Sequence, residues 1–282
     1  MARIIALVDG SVYSGSVCDH AAWVARRMGA EVVLLHVIGR RETRRGDLSG
    51  SIGLGARTKL MQELAELDEQ QAKLSLKRGR AILEDGAASL REDGVEKVVT
   101  VLRHGDLVEE LALLERGADL IVIGKRGEAA DFAKLHLGSN LERVVRASER
   151  PVLVAARAFH QIERFTLAFD GGPSAVRALE HITKSPVFRG LKCHLLTIGE
   201  ETPDLREMLE GAEAMLREAG FEVVAEIVTG QPEKVICEQT KARQTGLLVM
   251  GAYGHSRIRS MIIGSTTTAM VQGCQLPVML FR

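Results

Sequence analysis

The chain has 282 residues, 46% of them hydrophobic and 26% charged, with a formal net charge of +0 and only 4% aromatic residues. That length holds two domains of ordinary size, with cores built from Val, Ile, Leu, Ala and Met rather than from rings. The neutral balance gives no electrostatic reason to expect nucleic acid or an anionic membrane as partner. The N-terminal apolar run IIALV is interrupted by Asp9, which makes it too short for a signal peptide or a membrane span. Four cysteines, Cys18, Cys193, Cys237 and Cys274, stand far apart with no C-x-x-C. They read as reduced thiols in small apolar spaces, without the paired spacing of zinc ligands. The expectation is a cytoplasmic protein with no membrane contact.

In chain order, RIIALV (Arg3 to Val8), EVVLLHV (Glu31 to Val37), EKVVTVL (Glu96 to Leu102), DLIVIG (Asp119 to Gly124) and PVLVAA (Pro151 to Ala156) read as strands. They are short continuous apolar runs rich in β-branched residues, as a parallel sheet covered on both faces requires. Helical stretches alternate with them. In DLVEELALLERGA, Leu107, Leu111 and Leu114 recur at helical spacing and Gly117 supplies the stop. The alternation implies a doubly wound α/β layer structure.

After the second strand comes RRETRRGDLSGSIGLGART, rich in Gly, Ser and Arg, which reads as a mobile loop from Arg40 to Arg57. Its arginines Arg40, Arg41, Arg44 and Arg45 fit either a solvated loop or a phosphate-binding flap. A long charged stretch follows. There Leu60, Leu64, Leu67 and Leu74 lie on one helical face, and Ile82, Leu83 and Leu90 on another part of the same helix. The favoured expectation is a surface helix covering the sheet; a docking or dimerisation helix remains open.

The second half repeats the first with RFTLAFD, LKCHLLTI, FEVVAEIV, GLLVMG and PVMLFR. Thr202 caps its second helix, Pro203 takes the first helical position, and Leu205, Met208, Leu209, Ala212 and Leu216 form one face before Gly220. Matched punctuation makes this a repeat rather than a coincidence. Asp9 and Asp170 end the opening strands, Gly124/Gly127 and Gly251/Gly254 follow a later strand, and Gly138 and Gly264 each precede a helical stretch. Pro151 and Pro277 lead the closing strands, and ARAFHQIER, from Ala156 to Arg164, is a short connector. Two similar units presenting similar sites follow from this.

In an open α/β sheet, ligands bind outside the carboxyl ends of the strands, where the strand order reverses. Asp170, Gly251/Gly254 and Gly264-Ser265-Thr266 fall at such ends. Glycines there let backbone approach a ligand. The helix start at Gly264-Ser265-Thr266 offers unpaired N–H groups, a positive dipole end and two hydroxyls, which suits phosphate. Asp170 suits a ribose hydroxyl or a nucleotide-bound metal. His255, Arg257 and Arg259 add positive charge between the glycine elements. Ser265 reads as a cap and phosphate ligand rather than a nucleophile, since no His–carboxylate partner is suggested nearby. Lys125 is not a P-loop lysine, because G-K-R-G lacks the surrounding pattern.

Together the pieces resemble the universal stress protein family in its tandem form, over the whole chain except the insertion. The second half carries the family's nucleotide signature, G-x2-G-x9-G-[ST], from Gly251 through Gly254 and Gly264 to Ser265. The first half carries it with one extra residue between Gly127 and Gly138. The resemblance is to the ATP-binding branch. It implies an α/β fold of two similar doubly wound, Rossmann-like parallel-sheet domains in tandem. These would span residues 1–156, with a long insertion at about 40–80, and residues 164–282.

It also implies ATP or a related adenine nucleotide as ligand, with Mg2+ admitted beside it. Asp170 would contact the ribose or metal and Ile198 would line the adenine pocket. Gly251, Tyr253, Gly254, Gly264, Ser265 and Thr266 would surround the phosphates. The first half offers Asp9 and Val37, then Gly124, Arg126, Gly127, Gly138, Ser139 and Asn140. There Glu128 and Asp131 stand where the second half has His255 and Arg257, partly offset by Lys125 and Arg126, so the second site is expected to bind better. The closing strands after Pro151 and Pro277 are expected to meet across a pseudo-twofold axis, since relatives dimerise through this strand and a bare apolar edge is a liability.

The function expected is a nucleotide-responsive stress protein with no catalytic residues and at most slow ATP hydrolysis. A homodimer and an unspecified protein partner are admitted. A scaffold binding no nucleotide or another small ligand, and an enzyme acting on nucleotides, remain open alternatives. No poised acid–base pair beside a second substrate pocket supports the enzyme.

Overall fold

The computed structural model describes residues 2–39, 54–125, 139–252 and 265–282. The first half of the chain runs β1 (Arg3–Leu7), α1 (Ser14–Met28), β2 (Glu31–Gly39), α2 (Leu54–Glu92), β3 (Val98–Gly105), α3 (Leu107–Glu115), β4 (Leu120–Gly124), α4 (Ser139–Ala147) and β5 (Val152–Ala155). The second runs β6 (Arg164–Ala168), α5 (Pro173–Lys184), β7 (Lys192–Ile198), α6 (Pro203–Glu218), β8 (Val223–Val228), α7 (Pro232–Ala242), β9 (Leu247–Gly251), α8 (Ser265–Gly273) and β10 (Val278–Phe281). Every expected strand forms. The third begins at Val98, two residues later than its apolar pattern suggested, and runs on to Gly105 in register with β2.

The strands form one ten-stranded sheet in the order β3-β2-β1-β4-β5-β10-β9-β6-β7-β8. Read inward from either end, the two halves have the same order, and all pairings within a half are parallel. The closing strands meet as expected: β5 and β10 pair antiparallel, with Val154 opposite Val278, Leu153 opposite Met279 and Val152 opposite Leu280. Each half-sheet thereby covers the other's apolar edge.

Side chains alternate across the sheet, which is why the strands are apolar throughout. Ile4, Ala6, Val32, Leu34, Phe165, Leu167, Leu247 and Val249 face one core, covered by α1, α2, α5 and α6. Ile5, Leu7, Val33, Leu35, Leu248 and Met250 face the other, covered by α3, α4, α7 and α8. Helix starts follow local chemistry. The Thr202 hydroxyl accepts a hydrogen bond from the Leu205 N–H at 3.2 Å, and the Asp106 carboxylate accepts from Val108 and Glu109 at the start of α3.

Helix α2 corrects one expectation. Its carboxyl-terminal part covers the sheet, burying Leu83, Ala87 and Leu90, where α6 does so in the second half. Gly79 and Gly86 permit this approach: a Cβ would lie 2.8 Å from Leu102 at the first and 3.3 Å from Cys18 and Leu34 at the second. Its amino-terminal part covers nothing among the described residues, leaving Met61, Leu64, Leu67 and Leu74 exposed. The expected loop from Arg40 to Arg57 lies outside the described residues as far as 53, and 54–57 already belong to α2.

The halves also pack through helices and connector. Arg27 on α1 donates to the carbonyls of Val187 and Arg189. The His20 ring meets Phe159 of the connector edge-on at 5.1 Å, and Ile162 is buried.

Candidate functional site

The strand order reverses between β1 and β4 and again between β6 and β9, so each half has a crevice at those carboxyl ends. In the second half, β6 leads into Asp170, Gly171 and Gly172 before α5 begins at Pro173. Gly171 has φ +72, a conformation that favours glycine, and this turns the chain sharply into α5. Asp170 is exposed, and its Oδ1 accepts from the Gly172 N–H at 2.9 Å, an Asx turn that fixes the carboxylate at the mouth of the crevice. Ile198 ends β7 beside it, half-buried against the second core.

Gly251 ends β9, next to β6. Its lack of a side chain serves packing: a Cβ would lie 2.9 Å from the Ser174 Cβ and 3.3 Å from the Ala175 nitrogen, inside α5. The expectation that this glycine makes room for a ligand did not include this packing role. Ser265 opens α8; its side chain lies outside the described part. Thr266 is half-buried and its hydroxyl donates to Glu233 Oε1 at 3.0 Å. Thr267 is buried, with its hydroxyl 3.3 Å from the carbonyl oxygens of both Gly251 and Ala252. This contact ties the start of α8 to the end of β9. Tyr253, Gly254 and Gly264, with His255, Arg257 and Arg259, lie outside the described residues.

Sequence reasoning missed Thr267 and Glu233. The threonine stands in a run of three, which hides the buried one. Glu233 lies in the first turn of α7, with no signal that its carboxylate meets α8. Its charge opposes a phosphate at the same place, while the α8 dipole favours one.

In the first half, Asp9 Oδ1 accepts from the Ser11 N–H at 2.9 Å and from the Ser14 hydroxyl at 3.4 Å, the same kind of turn leading into α1. Val37 is half-buried near the end of β2, and Gly124 ends β4, so adjacent strands bring these three to one rim. Ser139 opens α4 and Asn140 is exposed in its first turn. Arg126, Gly127 and Gly138, with Glu128 and Asp131, lie outside the described residues. Lys125 does not serve this rim. Its buried ammonium donates to the Cys274 carbonyl in the other half of the chain, and burial pushes its pKa down to about 8. The expected offset of Glu128 and Asp131 by Lys125 is corrected accordingly.

Among the described residues, no group of three or more His, Cys, Asp or Glu could hold a metal ion. Nor is any of their helices long and apolar enough to cross a membrane.

Comparison with known proteins decides the family. The model of the Universal stress protein family matches residues 1–156 and 197–282. The chain belongs to the universal stress protein family. A universal stress protein of Synechocystis sp. is 35% identical over 287 residues, covering 100% of both chains. Another, from Mycolicibacterium smegmatis, is 25% identical over 99% of this chain and 96% of its own. The crystal structure of a universal stress protein from Archaeoglobus fulgidus superposes with a TM-score of 0.75, over 99% of this chain and 96% of that one, at 23% identity. That likeness shows the fold, and the family's fold is Rossmann-like. This universal stress protein therefore has family membership over both halves, not over one domain with an unrelated partner.

Proposed function

We propose that this universal stress protein binds an adenine nucleotide, ATP in preference, in the crevice at the carboxyl ends of β6, β7 and β9. One observation carries this: Thr267 anchors the start of α8 to the carbonyls that end β9. That contact would turn the N–H groups at the start of α8 towards the strand-order reversal that follows β6 and β9. Asp170 would hold the ribose or an accompanying Mg2+, Ile198 the base, and Gly254, Gly264 and Ser265 the phosphates. No catalytic group is assigned; bound nucleotide would act through conformation or partner affinity. The units proposed are residues 1–156 and 164–282, and four free thiols suit a reducing, cytoplasmic setting.

The Glu233 carboxylate on Thr266 favours a second reading, a scaffold that binds no nucleotide. Thermal unfolding of the ligand-stripped protein separates the two. At a hundredfold excess over its dissociation constant, a ligand of the folded state adds about 2.7 kcal/mol. Gly254→Val should remove most of that gain. No ATP-dependent shift, with or without Mg2+, would leave the scaffold standing.

A further inference from the structure

Cys237 on α7 and Cys274, just beyond α8, bring their sulfurs to 3.6 Å. Their separation in sequence hid this pairing. The two thiols differ in access. Cys237 is half-exposed, while Cys274 is buried, with its Sγ 3.7 Å from the Met270 thioether and its carbonyl taken by Lys125. The remaining cysteines, Cys18 and Cys193, are buried.

We propose that Cys237 and Cys274 form a thiol–disulfide exchange site whose substrate is a small organic disulfide of the glutathione type. The Cys237 thiolate attacks one sulfur of the substrate, the substrate's S–S bond breaks, and one thiolate leaves. The Cys274 thiolate then attacks Cys237 Sγ, expels the second thiolate and closes the intramolecular disulfide. The protein loses two electrons and two protons, and the organic disulfide becomes two thiols.

Closure needs the sulfurs to approach by only about 1.5 Å, from contact to a bond of about 2.05 Å. A rotation of the Cys237 side chain on α7, or of the Cys274 side chain just beyond α8, would supply this. The order of attack follows access, because only Cys237 meets solvent. Burial, then the neighbouring Cys237, pushes Cys274 up to about 12, which leaves the first attack to Cys237. The Lys125 ammonium works in the opposite direction and favours the Cys274 thiolate that closes the ring. Burial likewise pushes Cys18 up to about 12 and raises Cys193, so neither competes.

The inference stands without any nucleotide. The test is to treat the reduced full chain with oxidised glutathione, quench with acid and N-ethylmaleimide, and map peptides by mass spectrometry. The expected product lacks two hydrogens, joins the Cys237 and Cys274 peptides, and reverts with dithiothreitol. Cys274→Ser should stop at one glutathione on Cys237, and Cys237→Ser should take up none. If either variant fails to fold, mapping of the unsubstituted chain decides alone. A folded chain that stays fully reduced, that keeps a lasting glutathione adduct at Cys237, or that joins Cys18 or Cys193 instead would overturn the proposal.

Discussion

The Lys125 ammonium, at the end of β4, donates to the backbone carbonyl of Cys274, which follows α8 in the opposite half of the chain. A buried cation thus fastens the two halves beneath the sheet. Burial holds its pKa at about 8, below the 10.5 of the free side chain. The unfolded chain therefore keeps this proton to higher pH than the folded one. The contribution of Lys125 to stability should rise as pH climbs from about 8 to 10.5, against the fall that the raised thiols Cys18, Cys193 and Cys274 impose above about 9. At pH 7 the buried charge opposes folding by up to about 3 kcal/mol. Lys125→Met should abolish that rise. The orphaned carbonyl costs about 1 kcal/mol, so a net gain of about 1–2 kcal/mol is expected at pH 7. Urea unfolding at pH 7 and pH 9.5 checks both, and a less stable variant at pH 7 would contradict the expectation.

Glu233 is the acidic neighbour of the proposed phosphate site, accepting from Thr266 at 3.0 Å. Removing its charge should tighten ATP binding. At the dielectric of a protein surface, one unit charge a few ångströms away is worth about 1 kcal/mol or more, hence a gain of roughly fivefold for Glu233→Gln. The gain should shrink with added salt. Calorimetric titration at two ionic strengths measures it. Weaker binding in the variant would mean that Glu233 supports the ligand rather than repelling it.

Gly251→Ala tests packing apart from ligand. The new methyl would meet Ser174 at 2.9 Å, and overpacking of this kind costs about 1–3 kcal/mol. The loss should appear in the nucleotide-free protein. A variant that melts normally without ligand and loses only the ATP shift would return Gly251 to the ligand-contact role it was first given.

Gly251 also shows where sequence legibility stops. Strand positions, the repeat and the meeting of β5 with β10 were legible because each depends on periodicity, on proline and glycine punctuation, or on the need to cover an apolar edge. The reason for Gly251 was not, because it depends on how closely α5 crosses β9, a distance no pattern encodes. The same holds for Glu233, which meets Thr266 only when α7 and α8 lie side by side, and for Thr267, whose partners are the carbonyls at the end of β9. Lys125 looked like a site cation because it adjoins the glycine motif. Its side chain instead passes into the interface between halves, and sequence neighbourhood does not specify that direction. In α2 the leucine spacing correctly indicated a helix, but amphipathic spacing alone does not say which stretch finds a partner.

His20 predicts acid sensitivity. It is fully buried, its Nδ1 lies 2.6 Å from the Ser16 carbonyl oxygen, and its Nε2 has no partner among the described residues. Burial pushes its pKa down to about 4, with the charges of His160 and Lys125 adding to this and the Ser16 bond opposing it. The folded value lies below the unfolded one, so stability is intact above pH 6.5 and is lost as pH falls towards 4, by up to about 3 kcal/mol. His181 and His194, also lowered chiefly by burial, act in the same direction. Magnetic resonance titration of the imidazole should find His20 neutral at pH 5. A midpoint near 6.5 in the folded protein would refute the assignment.

Because β5 and β10 run antiparallel, every strand of one half points opposite to every strand of the other. The crevice of β1 and β4 therefore opens on one rim of the sheet, and that of β6 and β9 on the opposite rim. Five strand spacings separate β1 from β6, about 24 Å across the sheet. A single small molecule cannot touch both. The molecule is thus double-ended, like a rod with a socket at each tip turned the opposite way. Occupancy of one socket would reach the other through the shared sheet or the helix, connector and Lys125 contacts that join the halves, and two partners reading the two sockets would be held apart rather than brought together.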